Sequence, residues 1–235
     1  MRFKGIVFDK DGTLFDFNAT WGAWTRQLVQ HMTHGDDDLA QAMAQAIGFD
    51  MTTNAFAKSS PVIAGTADEI VEAFLPFRPG MERGEVIEEM HRLAATAPQV
   101  QAAPLGPLLD QLIAMGMTLG VATNDAEIPA RAHLDANGVT DRFAFIAGYD
   151  SGFGGKPDAG QLLAFCAQTG LRPQDCLMVG DSTHDLIAGQ VAGMTRVAVL
   201  TGIADAEDLA DYADVILPSI AELPALLLGI ADQRG

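Results

Sequence analysis

From Leu105 onward the chain alternates between helical and extended patterns, and most of the helical stretches end at a glycine. Leu105–Met115 has the apolar spacing of an amphipathic helix and stops at Gly116. A strand over Thr118–Thr123 follows, then a helix over Ala126–Asn137 closed by Gly138, then a strand over Phe143–Ala147. The rhythm continues with a helix over Pro157–Thr169 closed by Gly170, a strand over Cys176–Val179, and a helix over Thr183–Ala192 closed by Gly193. Short strands over Arg196–Leu200 and Val215–Leu217 and a last helix over Ile220–Leu228 complete it. Such βα repeats, with apolar strands rich in β-formers, predict an α/β fold: a Rossmann-like parallel sheet with helices on both faces. Phe3–Phe8 reads as one more buried strand of the same sheet, separated from the rest by about a hundred residues.

Those intervening residues break the rhythm. Between Phe17 and Ala103 no strand stands out, and helical patterns run near Trp21–Met32, Asp38–Ile47, Asp68–Phe74 and Arg83–Thr96. The expectation is an inserted all-α cap domain over residues 17–103, and a core domain formed by residues 1–16 and 104–235. The crossings near Asp16 and Ala103–Pro104 are candidate hinges.

Charge and cysteine content narrow the partners. The 31 acidic residues against 14 basic ones give a net charge of −17, which argues against nucleic acid or an anionic membrane surface as a partner. No apolar run approaches the roughly 18 residues of a membrane span. Cys166 and Cys176 form no CxxC and no disulfide framework, and a strand begins at Phe3, so a reducing cytoplasm is the expected setting.

Phe8-Asp9-Lys10-Asp11-Gly12-Thr13 terminates the first strand. Alternate side chains of an extended chain share a face, so Asp9 and Asp11 are expected to point one way and Lys10 the other. Parallel sheets bind ligands at the edge where such strands end. The later strands end in residues of complementary chemistry. Thr123-Asn124-Asp125 supplies a hydroxyl, an amide and helix-start N–H groups able to hold a phosphate oxygen, and is also an ordinary helix cap. Lys156 precedes Pro157, read as the first residue of a helix, where a cation gains nothing from the helix dipole and serves better as the counter-charge to a bound anion. Asp181 and Asp185, four apart in Gly180-Asp181-Ser182-Thr183-His184-Asp185, come together on a helical turn. With Asp9 and Asp11 they make four carboxylates at one edge. Two such charges about 4 Å apart repel by roughly 4 kcal/mol at an effective dielectric near 20, so a cation is required. Oxygen ligands beside a phosphate select Mg²⁺. His184 has no partnering His or Cys in the pattern and is read as a neighbour of the site.

Taken in order, Asp9-Lys10-Asp11-Gly12-Thr13, Thr123-Asn124, Lys156-Pro157 and Gly180–Asp185 resemble the four motifs of the haloacid dehalogenase superfamily, over about Phe3 to Leu200. The helical insertion is similar to that family's type 1 cap, and the chain as a whole to its phosphoglycolate phosphatase group. The resemblance implies that Asp9 is the nucleophile, forming an aspartyl-phosphate, and that Asp11 is the general acid and then the base that activates water. It implies that Thr123, Asn124 and Lys156 bind the phosphoryl group. Mg²⁺ would be held by Asp9, the Asp11 backbone carbonyl and Asp181, with Asp185 supporting from behind. The implied activity is hydrolysis of a small phosphorylated metabolite, with 2-phosphoglycolate leading. A sugar phosphomutase of the same superfamily and a non-catalytic protein, whether phospho-receiver-like or an interaction protein, are the alternatives. Trp21, Trp24, Arg26, His31, Lys58, Arg78 and Arg83 are the aromatic and basic side chains the cap could turn toward a substrate, and the sequence singles out none of them.

Overall fold

A computed structural model describes residues 3–64, 66–94 and 99–232. Strand β1 (Gly5–Phe8) is wholly buried at the centre of a sheet, because its four residues pack on both faces. The chain then leaves the sheet for α1 (Phe17–Met32), α2 (Asp37–Ala46), the two-residue strands β2 (Phe49–Asp50) and β3 (Ala55–Phe56), α3 (Pro61–Ala64), α4 (Ala67–Phe74) and α5 (Arg83–Ala94). It re-enters through α6 (Leu105–Ala114), β4 (Thr118–Ala122), α7 (Glu127–Ala136), β5 (Phe145–Ala147) and α8 (Gly160–Thr169). The remainder is β6 (Cys176–Gly180), α9 (Thr183–Ala192), β7 (Thr195–Val199), α10 (Ala206–Leu209), β8 (Val215–Leu217) and α11 (Leu223–Asp232).

Six strands form one parallel sheet in the order β5-β4-β1-β6-β7-β8. Alternation along β1 sends Ile6 and Phe8 into a core with Leu105, Leu109 and Leu112 of α6 and Leu223 and Leu227 of α11. Val7 faces the opposite core, with Leu162 and Phe165 of α8 and Ala188 of α9. Helices therefore cover both faces, as the βα rhythm predicts.

The segment from Phe17 to Ala94 packs around a core of its own, which includes Trp24, Leu28, Met43, Phe49, Val71, Phe74 and Met90. It is not purely helical. β2 and β3 pair as a small antiparallel hairpin, with Phe49 opposite Phe56. Two residues per strand leave too short an alternation to read in advance, and Phe49 and Phe56 sit against each other at 4.7 Å because the cap core needs them there. Of the expected last cap helix, residues 95 and 96 lie outside the described residues. The two segments joining cap to core run side by side: Asp16 N–H donates to the Val100 carbonyl at 2.7 Å and Ala102 N–H to that of Leu14 at 2.9 Å.

Candidate active site

Register builds the site. Phe8 lies opposite Val121 of β4 and Val179 of β6, so the residues just beyond these, Asp9, Thr123 and Asp181, emerge at one edge of the sheet. Asp9 N–H still donates to the Val179 carbonyl at 2.8 Å, one rung past the strand. Beyond it the chain turns, with Gly12 at φ +81, a conformation that glycine adopts without penalty. A Cβ on Gly12 would overlap the Asp181 carboxylate, and so would one on Gly202. Asp181 thus sits in a slot between two glycines, where Thr13 Oγ1 donates to its Oδ1 at 3.1 Å.

Lys156 Nζ lies 2.7 Å from Asp9 Oδ1 and 2.6 Å from Asp185 Oδ1. The other Asp185 oxygen accepts from Ser182 N–H at 3.0 Å and from its hydroxyl at 2.7 Å, within the capping box that opens α9. One oxygen each of Asp9, Asp181 and Asp185 lies within 4.8 Å of the others. Burial pushes the Asp9 carboxyl up to about 7 against the pull of Lys156, with Asp185 and Asp11 adding to the rise. Burial, then Asp9 and Asp185, hold Asp181 well above the usual carboxylate range. Burial opposes charge on Lys156, but Asp185 and Asp9 outweigh it and keep the ammonium protonated. Among the described residues no cation pairs with Asp181. Three buried carboxylates with one ammonium between two of them fit a hard divalent cation, and the all-oxygen donor set suits Mg²⁺. With both oxygens already engaged, Asp185 is placed to support such an ion from behind.

The placement of Lys156 differs in detail from the expectation. The helix begins at Gly160, not Pro157, and the Lys156–Pro157 peptide is cis. What fixes the lysine is Asn124, whose side-chain oxygen accepts from Lys156 N–H at 2.7 Å while its amide donates to the Lys156 carbonyl at 2.8 Å. The Asn124 side chain therefore orients Lys156. Thr123, buried beside it, accepts from Asp125 N–H at 3.0 Å through its hydroxyl.

A family model described as haloacid dehalogenase-like hydrolase matches residues 6–199. The chain belongs to this family. It is 40% identical to a phosphoglycolate phosphatase of Chromobacterium violaceum over 96% of this chain and 97% of that one. Among solved structures it is similar to a haloacid dehalogenase-like hydrolase from Bacteroides fragilis, with a TM-score of 0.72 at 20% identity, covering 94% of this chain and 99% of the other. It is also similar to the β-phosphoglucomutase of Clostridium difficile, with a TM-score of 0.68 at 19% identity over 94% and 93% of the two chains. These structural likenesses carry the fold. The sequence relatives place the chain among the phosphoglycolate phosphatase-like enzymes of the haloacid dehalogenase family.

In this haloacid dehalogenase-like hydrolase Lys10 does not point away from the two aspartates. It is fully buried, and its Nζ lies 2.6 Å from Asp11 Oδ2 and 2.8 Å from Oδ1. Alternation fails here because the extended backbone ends at Phe8, and Leu14 N–H already bonds the Lys10 carbonyl across a turn. The same Nζ meets Asp125 Oδ2 at 3.2 Å and His133 Nδ1 at 3.0 Å, and stands 5.3 Å over the Trp21 ring. Burial lowers the affinity of Lys10 for its proton, yet Asp11 and Asp125 outweigh it and the net shift is upward. Burial first, and the Lys10 charge second, lower His133 to about 4. Neutral at physiological pH, His133 accepts from Lys10 at Nδ1 and donates from Nε2 to the Ala94 carbonyl at 2.6 Å. Nothing in the sequence marks His133, which is one polar residue on a helix whose neighbours in space come from elsewhere.

The sheet edge and the segment from Phe17 to Ala94 border a half-open cavity of about 70 Å³. Asp9, Asp11, Thr123 and Lys156 line its floor, and Trp21, Trp24, Ile70, Met90 and His91 its cap side. Both tryptophans are buried and pack edge to face at 4.9 Å, so they are core and cavity wall at once. The basic cap candidates turn elsewhere. Arg26 bonds Asn54, His31 pairs with Glu89, Arg78 meets Met81, Arg83 pairs with Asp68 and Glu72, and Lys58 with Asp205 and Asp208 of the core. His184 lines the cavity and is outside the carboxylate cluster.

Proposed function

We propose that the protein hydrolyses a small phosphorylated metabolite through an aspartyl-phosphate on Asp9, with Mg²⁺ held by Asp9, Asp181 and the Asp11 backbone carbonyl, and with residues 17–103 acting as a cap over a core of residues 1–16 and 104–235. The observation that carries it is Asp9 itself. Its carboxylate stands at the end of the central strand, 2.7 Å from Lys156 and beside Asp181, on the floor of a half-open cavity walled on one side by the inserted segment. One Asp9 oxygen attacks phosphorus while the bond to the leaving oxygen breaks, and Asp11 gives that oxygen its proton. Asp11, now a carboxylate, takes a proton from the water that attacks the phosphoryl-enzyme, releasing phosphate and restoring Asp9. Lys156 and Thr123 hold the phosphoryl oxygens, Asn124 keeps Lys156 aimed, and Asp185 anchors it from the far side. When bound, Mg²⁺ supplies charge neutralisation for the phosphoryl group, which is most of what phosphoryl transfer demands.

The names of the sequence relatives make 2-phosphoglycolate the first substrate to try. The test is phosphate release from a panel of phosphate esters including it and hexose phosphates, with Mg²⁺, with EDTA, and with Asp9→Asn. Metal-dependent release that vanishes in Asp9→Asn is expected. A folded protein that releases phosphate from none of them, or that keeps its turnover in Asp9→Asn, would overturn the reading.

A further inference from the structure

An ammonium buried away from water is costly unless every proton finds a partner, and an apolar residue of similar volume would often be neutral or better for stability. Lys10 is such an ammonium: it hydrogen-bonds the Asp11 carboxylate and His133, and a third group, Asp125, stands within ion-pair distance at 3.2 Å. Each partner is itself fixed. Asp125 accepts from Ala126 N–H at 2.8 Å with its other oxygen, and His133 is tied to the Ala94 carbonyl. Asp11 and Asp125 both line the cavity, but one Asp125 oxygen is taken by the Ala126 N–H, and Asp11, whose side chain retains 13% exposure where that of Lys10 has none, is the partner placed to meet substrate.

We infer that Lys10 is a positioning residue: gripping the Asp11 carboxylate from behind, with His133 and Asp125 as its anchors, it holds that carboxylate toward the leaving oxygen for proton transfer. The inference rests on the proposed role of Asp11 as acid and base. Lys10 serves the acid in both of its states. Lys10 meets both Asp11 oxygens, at 2.6 and 2.8 Å; with Asp11 protonated it keeps the carbonyl oxygen and gives up the other, which carries the proton toward substrate. The proton passes to the leaving oxygen as its bond to phosphorus breaks and the Asp9–phosphorus bond forms. The charge left on Asp11 is then matched by Lys10 until water returns a proton. Two of the contacts that frame Lys10, Trp21 and the His133–Ala94 bond, involve cap residues, so the grip is complete with the cap in the position seen here.

A general acid matters most when the leaving group is poor, which separates this role from simple support of the fold. Values of kcat/KM, which report the steps through departure of the leaving group, are compared for an alkyl phosphate and for p-nitrophenyl phosphate in wild type, Lys10→Met and Asp11→Asn. Lys10→Met is expected to lower the alkyl value by about 10²–10⁴-fold, the usual contribution of acid–base catalysis, while lowering the aryl value by less than about tenfold. Asp11→Asn is expected to show the same selectivity. Equal losses on both esters in Lys10→Met, or no loss, alongside a selective loss in Asp11→Asn, would overturn the assignment to Lys10 and leave Asp11 its role. No selectivity in Asp11→Asn would overturn the acid reading and this inference with it. Thermal unfolding checks the fold of each variant. Should Lys10→Met fail to fold, His133→Leu removes an anchor of Lys10 from outside the cavity and carries the same comparison, with a smaller selective loss expected and an unselective one decisive against the inference.

Discussion

Replacing Asp9, the proposed nucleophile, should make the metal-free protein more stable above neutral pH. Burial raises the Asp9 carboxyl from 3.8 to about 7, so ionising it in the folded state costs free energy that the unfolded chain does not incur. A shift of about 3 units at roughly 1.4 kcal/mol each is about 4 kcal/mol. The sign follows from proton counts. Between these two values the folded protein holds a proton that the unfolded chain has released, so stability falls as pH rises through that window and stays low above it. Asn cannot ionise and keeps nearly the same shape. Asp9→Asn and wild type should therefore unfold alike near pH 4 and diverge to a ceiling of about 4 kcal/mol in favour of the variant above pH 7. Urea unfolding in EDTA at several pH values reads the difference as a change in midpoint at constant slope. Saturating Mg²⁺ should narrow or reverse the order, since an ion at a hundredfold its Kd adds about 2.7 kcal/mol to whichever protein binds it. Greater stability of wild type than Asp9→Asn in EDTA at pH 8, or a difference that does not vary with pH, would refute the argument from burial.

Lys156→Met strips Asp9 and Asp185 of their shared counter-charge, and breaking a buried pair this way should cost about 3–5 kcal/mol in metal-free unfolding and abolish most phosphate release. His133, lowered from 6.5 to about 4, binds its proton more readily unfolded, so it makes stability rise with pH across that interval; His133→Gln should flatten that rise in acid-titrated thermal melts. Gly202→Ala forces a methyl into the slot of Asp181, and Mg²⁺ titration of the variant should show affinity weakened by about 10–100-fold.

The sheet was legible because its strands are short apolar runs bounded by charge or glycine, and a one-residue slip would have put Asp9 on the wrong level. The residues of the floor were legible for a related reason. Asp9 and Thr123 each directly follow a strand, and a parallel register gathers such positions at one edge. The alternation of extended chain misplaces Lys10 because it lies two residues past Phe8, where the extended backbone ends. Pro157 looked like the first residue of a helix, and Asn124, a residue 32 positions away, holds the preceding backbone in a different shape. His133 and the tryptophan pair became meaningful only through neighbours brought in by the cap, which no local pattern encodes. The β2–β3 hairpin has too few residues for any periodicity.

The place of β1 in the sheet also has a consequence for synthesis on the ribosome. β1 is made before both its neighbours, β4 and β6, which follow more than a hundred residues later. At about 5–20 residues per second its two edges wait on the order of ten seconds for a partner. In that interval the segment from Phe17 to Ala94, with a core built from its own residues, is the part able to fold. Lys156, Asp181 and Asp185 all lie more than a hundred residues beyond β1, so a product cut short before them would carry Asp9 without the residues that surround it.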